Sequence, residues 1–175
     1  MSILQRAAVI SEDGLCRYRL DRWWGDGPRV AWIMLNPSTA NAEVDDPTIR
    51  RCIAFTKAWG YDGLTVVNLW PFRSPSVKAL VAWVQEPGEL VKNQQHIEIA
   101  LRDSALVVVA WGATVVRGDS MLHAFRGMGV RMHHLGLTMG GHPRHPLYIR
   151  GDTKPQRYEL EVGEARLDRW RSCAS

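Results

Sequence analysis

Four short apolar runs, separated by stretches of helical character, constrain the fold of this chain more than any other feature of its sequence. They occupy residues 30–35, 64–69, 105–111 and 130–135. The first and third runs are apolar almost throughout, which is typical of strands buried on both faces. Strands that alternate with helices form parallel sheets, so the pattern predicts an α/β fold whose sheet is covered by helices on both sides.

Capping residues mark the first predicted helix. Asp46 is suited to the cap and Pro47 to the first turn, and Gly60 ends the helix after Trp59. A second helix is predicted over residues 88–103, with an apolar stripe facing the core and a polar stripe facing outward. The apolar stripe contains Leu90, Ile97 and Leu101, and the outward stripe contains Asn93, Gln94, Glu98 and Arg102.

The remaining segments carry weaker patterns. A third helix is predicted over residues 114–127, where Gly118 interrupts it. Residues 16–24 indicate a leading antiparallel strand, and residues 165–170 indicate a helix in the tail.

The composition fits one closed domain that includes all 175 residues. Hydrophobic residues make up 46% of the chain and charged residues 23%, as in ordinary globular proteins. A chain of this length buries enough surface to fold without a disulfide or a metal. Its longest apolar stretch, residues 105–116, is far shorter than the roughly 20 residues that span a bilayer. The first residues lack the plan of a secretory signal, so we expect a soluble, cytoplasmic protein without a membrane partner.

Two features of the composition bear on possible partners. The net charge is +4, and 18 of the 22 basic residues are arginine, whose guanidinium fork matches phosphate groups. The codon usage of a GC-rich genome is the main explanation for this excess, and a surface for nucleic acid or nucleotide is the alternative. The three cysteines, Cys16, Cys52 and Cys173, have neither a metal-ligand spacing nor a disulfide framework, which suits a reducing compartment.

Several common chemistries have no motif in the sequence. It contains no P-loop, no G-x-G-x-x-G after a strand, no G-x-S-x-G and no H-E-x-x-H. These absences argue against a P-loop ATPase, a Rossmann dehydrogenase, a serine esterase and a zincin protease.

Polar residues follow the predicted strands at the edge where parallel sheets bind ligands. Asn36, directly after the first strand, can orient a water or a substrate amide, or it can build a turn with Pro37 and Ser38. Asn68, at the end of the second strand, can read the edge of a nucleobase, or it can hold the backbone of the following turn. Both alternatives stay open for each residue.

Histidines form the most distinctive cluster. His133 and His134 are adjacent on a predicted strand and therefore point to opposite faces, so we expect no metal site. His142 and His145 lie in a loop rich in proline and glycine. One of them can donate to a developing oxyanion or act as a general acid, or each can simply bond to the backbone.

Other charged and apolar residues near the same edge have two interpretations each. Asp45 and Asp46 can form a pair of general bases, although Asp46 is more often a helix cap. Arg73 and Arg144 can hold a phosphate or remain solvated. Leu147, with the neighbouring tyrosine, can form a wedge or a stacking platform or can pack in the core.

Several of these segments together resemble a bacterial and phage family known only as domain of unknown function 1643. The resemblance rests on residues 33–40, 45–49, 68–69, 110–112 and 141–148, and it extends over about residues 15–150, leaving 151–175 as a C-terminal extension. The family carries no assigned activity.

The chain also shows a more distant similarity to the uracil-DNA glycosylase superfamily, a three-layer fold around a four-stranded parallel sheet. The similarity implies that Asn36, with Pro37, positions the attacking water and that Asn68 recognises the base. It also implies that His142 or His145 stabilises negative charge on the departing base and that Leu147 acts as a wedge. The chain departs from the superfamily pattern before the first motif and after the histidine motif, so uracil itself is not implied as the substrate.

We therefore expect a three-layer α/β sandwich of the uracil-DNA glycosylase type, with a central, mostly parallel four-stranded sheet in the order 2-1-3-4. The hypothesis for function is hydrolysis of an N-glycosidic bond in DNA, RNA or a nucleotide, without a metal or other cofactor. A duplex would have to flip its target base into the pocket. The candidate catalytic residues are Asn36, His142 and His145, and the candidate binding residues are Pro37, Ser38, Thr39, Asn68, Arg73, Arg144 and Leu147.

Two alternatives to this hypothesis remain. The first is a non-catalytic module that binds a nucleotide or single-stranded nucleic acid by arginine contacts and aromatic stacking. The second is an enzyme that acts on free nucleosides in a closed pocket.

Overall fold

The computed structural model describes residues 4–83, 87–113 and 129–159. The predicted helices at residues 114–127 and 165–170 lie outside these described residues. The strands are β1 (Gln5–Ile10), β2 (Arg17–Trp23), β3 (Arg29–Met34), β4 (Gly63–Asn68), β5 (Leu106–Val109), β6 (Met132–His134) and β7 (Gln156–Arg157). The described helices are α1 (Pro47–Ala58), α2 (Val77–Ala82) and α3 (Pro87–Asp103), followed by a short 3-10 helix (Pro146–Tyr148).

The strands of the described residues form one mixed sheet of seven in the order β1-β2-β4-β3-β5-β6-β7. Strands β4, β3, β5 and β6 are mutually parallel, and they correspond to the four apolar runs in the predicted order. Antiparallel strands flank them, with β1 and β2 on one side and β7 on the other. The predicted α/β class is confirmed.

The prediction of a four-stranded sheet is wrong in the number of strands. No side chain of β1 is fully buried, and β7 is only two exposed residues long. Both strands lie at edges of the sheet, and the short apolar run of β1, residues 7–10, is only partly buried, unlike the runs of the central strands. The leading strand predicted over residues 16–24 is present as β2.

Helices cover both faces of the sheet. Successive residues of β3 alternate between the two faces, so that Trp32 packs with Phe55 of α1, and Ile33 packs with Ile97 of α3. This alternation explains why β3 is a continuous apolar run, since both of its faces are buried. None of the helices in the described ranges is long and apolar enough to cross a membrane.

Helix α1 begins and ends as its capping residues predict. Oδ1 of Asp46 accepts a hydrogen bond of 2.8 Å from the backbone N–H of Ile49, and Pro47 is the first helical residue. The chain leaves the helix through Trp59 and Gly60, whose φ of 82° lies in the left-handed region that favours glycine. The cap places the N-terminus of α1 beside the carboxyl ends of β3 and β4.

Some predicted details need correction. Asn93 faces inward rather than outward, because its Nδ2 donates to the backbone oxygen of Asn68 at 3.0 Å at the end of β4. Helix α2 was not predicted. The third and fourth runs extend beyond their strands, since buried residues such as Ala110 and Leu135 lie in the adjoining loops.

Candidate functional site

A cleft of about 230 Å³ opens at the carboxyl ends of β3 and β4. This is the edge at which open parallel sheets bind ligands. Loops after both strands, the first turn of α1 and the loop before the 3-10 helix contribute to it. The cleft is lined by Arg17, Met34, Asn36, Ser38, Asp46, Thr48, Ile49, Asn68, Ser74, Pro75 and His145.

Asn36 joins the loop after β3 to the loop after β4. Its Nδ2 donates to the backbone oxygens of Ser74 at 2.8 Å, Pro37 at 3.1 Å and Phe72 at 3.4 Å. Its Oδ1 accepts no hydrogen bond from the described residues. The amide is therefore fixed by its nitrogen and keeps an acceptor for a water or a ligand.

Asn68 also lines the cleft, but it offers a hydrogen-bond donor where Asn36 offers an acceptor. Its Oδ1 accepts a hydrogen bond of 3.3 Å from Nη2 of Arg17, and the residue is 1% exposed. Because a guanidinium only donates, the oxygen end of the amide must face Arg17. The Nδ2 of Asn68 has no acceptor among the described residues, so Asn68 offers the cleft a donor.

His145 lies just before the 3-10 helix, and its Nδ1 accepts a hydrogen bond of 3.4 Å from the backbone N–H of Leu147. In the neutral ring the proton is then on Nε2. Burial lowers the pKa of His145 below its usual value, while the charge of Asp46 acts in the opposite direction. His145 is therefore neutral at pH 7 and carries an Nε2–H donor.

The two aspartates have separate roles. Asp45 forms ion pairs with Arg22 at 2.8 Å and Arg6 at 2.7 Å and does not line the cleft. Asp46 caps α1 as predicted and also lines the cleft. The pair of general bases does not form, and Asp46 supplies the carboxylate near Asn36 and His145.

Arg17 also lines the cleft, although the sequence pattern does not single it out. It is 2% exposed, and its Nη1 donates to the backbone oxygen of Ala40 at 3.0 Å. Burial lowers the pKa of its guanidinium to about 10. Arg17 lies inside the predicted leading strand, residues 16–24, whereas the candidate residues all follow the ends of predicted strands. The feature that indicates Arg17 is the leading strand itself, because β2 runs antiparallel to β4 and begins beyond its end. There the backbone N–H of Arg17 donates to the backbone oxygen of Pro71 at 2.9 Å.

The other predicted residues lie at different distances from the cleft. Ser38 lines it, whereas the buried Pro37 and the exposed Thr39 do not. Arg73 donates from Nη1 to the backbone oxygen of Gly14 at 3.0 Å and lies outside the lining.

The residues around the second histidine motif also divide. His142 lies in the preceding turn, where its N–H donates to Oγ1 of Thr138 at 3.1 Å, and it does not line the cleft. Arg144 and Leu147 are exposed and also lie outside the lining. Within the described ranges, no group of three or more His, Cys, Asp or Glu side chains is arranged to hold a metal ion.

Comparisons with known proteins give one positive result. No curated protein and no solved structure matches the chain. A family model described as "Protein of unknown function (DUF1643)" matches residues 17–147, a span that contains every residue lining the cleft. Because the match includes most of the chain, the protein belongs to the DUF1643 family.

Proposed function

We propose that the protein is a glycosylase-like hydrolase that cleaves the N-glycosidic bond of a nucleobase held in the cleft. The observation that carries the proposal is the meeting of three groups distant in sequence. Asn36 offers an acceptor, while Asn68 and His145 offer donors to the same cleft. A nucleobase presents both donors and acceptors in one plane, so it complements this set.

Each group has a role in the proposed reaction. Oδ1 of Asn36 accepts a hydrogen bond from the attacking water and orients it toward the anomeric carbon. The water oxygen bonds to that carbon, and the electron pair of the broken C–N bond leaves with the base. The Nε2–H of His145 stabilises the negative charge that develops on the base. The proton lost by the water passes to the base through the carboxylate of Asp46, and Asn68 recognises the base edge.

The size of the cleft supports a base rather than a whole nucleotide. Its volume of about 230 Å³ is below the range of about 300–1,000 Å³ typical of pockets for drug-sized ligands. The sugar and phosphate would lie at the surface, and a base in a duplex would have to leave its stack, which costs a few kcal/mol. The parallel order of β4, β3, β5 and β6, with helices on both faces, supports the proposed likeness to the uracil-DNA glycosylase fold.

The exposed residues beside His145 favour a second candidate, a module that binds nucleic acid without turnover. Tyr148 is 79% exposed and Leu147 is also exposed, both on the 3-10 helix that follows His145. Aromatic side chains in such positions can stack on bases. This candidate predicts salt-sensitive binding and no chemistry.

The proposal is tested by measuring free base released from oligonucleotides that carry uracil, hypoxanthine or hypermodified pyrimidines. We expect release from at least one of them, and Asn36→Ala is expected to lower the rate by about tenfold or more because the water loses its acceptor. In the binding module, Asn36→Ala would leave affinity largely intact and no base would appear. Release from free nucleosides alone would favour the nucleoside enzyme. A folded protein that releases base from no substrate would contradict the proposal.

A further inference from the structure

Two arginines of β2, Arg17 and Arg22, are both almost fully buried but differ in how many of their N–H groups have hydrogen-bond acceptors. Arg22 is 0% exposed, and its Nε bonds to a carboxylate oxygen of Asp45 at 2.8 Å. Its other nitrogens donate to the backbone oxygens of Ala7, Asp21 and Asn41. Arg22 therefore has a set of acceptors that reaches all three of its nitrogens, as a buried guanidinium with a structural role requires.

Arg17 lacks such a set. Its Nη1 donates to the Ala40 oxygen and its Nη2 to Oδ1 of Asn68, while its buried Nε has no partner. A guanidinium has five N–H groups, so three of those of Arg17 find no acceptor among the described residues. It forms no ion pair of 4 Å or less with a described carboxylate. A buried charge left in this state is costly unless a ligand completes it.

The groups around Arg17 add further donors to the cleft. The Nε2–H of His145 and the Nδ2 of Asn68 have no acceptor among the described residues. The backbone N–H of Thr48, in the first turn of the twelve-residue α1, has no acceptor among the described residues. The opposing charge is Asp46, whose Oδ1 already accepts from Ile49. Donors therefore exceed acceptors, and the complementary ligand carries oxygens with negative charge.

We propose that Arg17 forms an oxyanion subsite in the floor of the cleft, which takes a phosphate or carboxylate group of the ligand beside Asn68. The inference rests on the proposed function only in the source of the anion. In the proposed substrate it is a carboxylate on a modified base, because the backbone phosphate lies at the surface, whereas a free nucleotide would place its phosphate in the floor and its base outside the cleft. Arg17 then has two effects. It binds the anion through its unpaired N–H groups and holds the amide of Asn68 in the orientation that presents Nδ2.

Calorimetric titration with matched pairs of ligands tests the subsite. Thymidine 5′-monophosphate against thymidine measures the effect of a phosphate, and 5-carboxyuracil against uracil measures that of a carboxylate. The wild-type protein is expected to bind the anionic member of at least one pair tenfold or more tightly, because charge-assisted hydrogen bonds are the strong ones. The pair that shows the preference identifies the source of the anion.

Variants test whether Arg17 causes the preference for the anionic ligand. Arg17→Met is expected to abolish it, and Arg17→Lys to retain a reduced preference, because the charge remains while the fork is lost. Arg102→Met removes an exposed arginine at the end of α3, far along the chain from the cleft, and is expected to leave the preference unchanged. Arg17→Met is also expected to unfold at the same temperature as the wild type or higher, since it removes an incompletely paired buried charge.

Two outcomes would overturn the inference. One is a wild-type protein that binds both members of each pair equally. The other is a preference that persists in Arg17→Met together with a lower unfolding temperature of that variant, which would make Arg17 a structural tie between Ala40 and Asn68. Because the titrations need no turnover, they stand apart from the base-release assay. Base release without an anion preference would overturn the subsite alone.

Discussion

Replacing His145 with asparagine is expected to lower the rate of base release by about 100- to 1,000-fold while the protein stays folded. Groups that donate to charge developing in a transition state have effects of this size. Asparagine at this position keeps an oxygen that can accept from the N–H of Leu147, as helix-capping residues do. It removes the ring and with it the Nε2–H. The variant thus separates the donor role from the local structural role.

The neighbouring histidine provides the matched control. His142 has the same following proline but lies outside the lining of the cleft. His142→Asn is expected to keep the rate within about threefold of the wild type, because surface changes away from a site have small effects. Both variants are compared with the wild type by their single-turnover rates of base release. A large loss in His142→Asn with none in His145→Asn would assign the chemistry to the other motif and contradict the role given to His145.

Replacing Trp32 with alanine is expected to lower the free energy of unfolding by about 3–5 kcal/mol, as for other large aromatic residues in cores. Trp32 is fully buried on the α1 face of the sheet, with its ring centroid 5.5 Å from that of Trp59 and 6.2 Å from that of Phe55. Its Nε1 donates to Oγ1 of Thr56 at 3.1 Å. The same contacts fix α1, whose N-terminus brings Asp46 to the cleft.

Urea unfolding checks this expectation, with Val9→Ala as the control. Val9 is 39% exposed on the edge strand β1, so its truncation is expected to change the free energy of unfolding by no more than about 0.5 kcal/mol. Equal changes in the free energy of unfolding would mean that the packing of Trp32 against Phe55 and Trp59 does not stabilise the fold.

The central strands could be predicted because their burial is reflected directly in runs of apolar residues. Strands β3 and β4 lie within one residue of the predicted runs, since both are flanked by helices and strongly apolar. The cap of α1 was predictable for the same reason, as Asp46 and Pro47 act on neighbouring backbone. Features set by contacts within one element were therefore accessible from sequence.

Features set by contacts between elements could not be predicted from the sequence. Asn93 is polar and was expected outside, yet the carbonyl groups at the end of β4 hold it inside. Arg17 reaches the cleft only because β2 pairs antiparallel with β4. The two His-Pro motifs look alike in sequence, and the start of the 3-10 helix at Pro146 is what brings His145 to the cleft while His142 stays in the preceding turn.

The central claim is that Asn36, Asn68 and His145 serve one ligand. Nuclear magnetic resonance tests it most directly, by following the side-chain amides of both asparagines and the ring of His145 during titration with the oligonucleotide that binds most tightly. We predict that all three signals shift along one saturation curve, while the exposed side-chain amide of Gln95 on α3 stays unchanged. Signals of the two asparagines that remain still, or that follow different curves from the ring of His145, would contradict the claim.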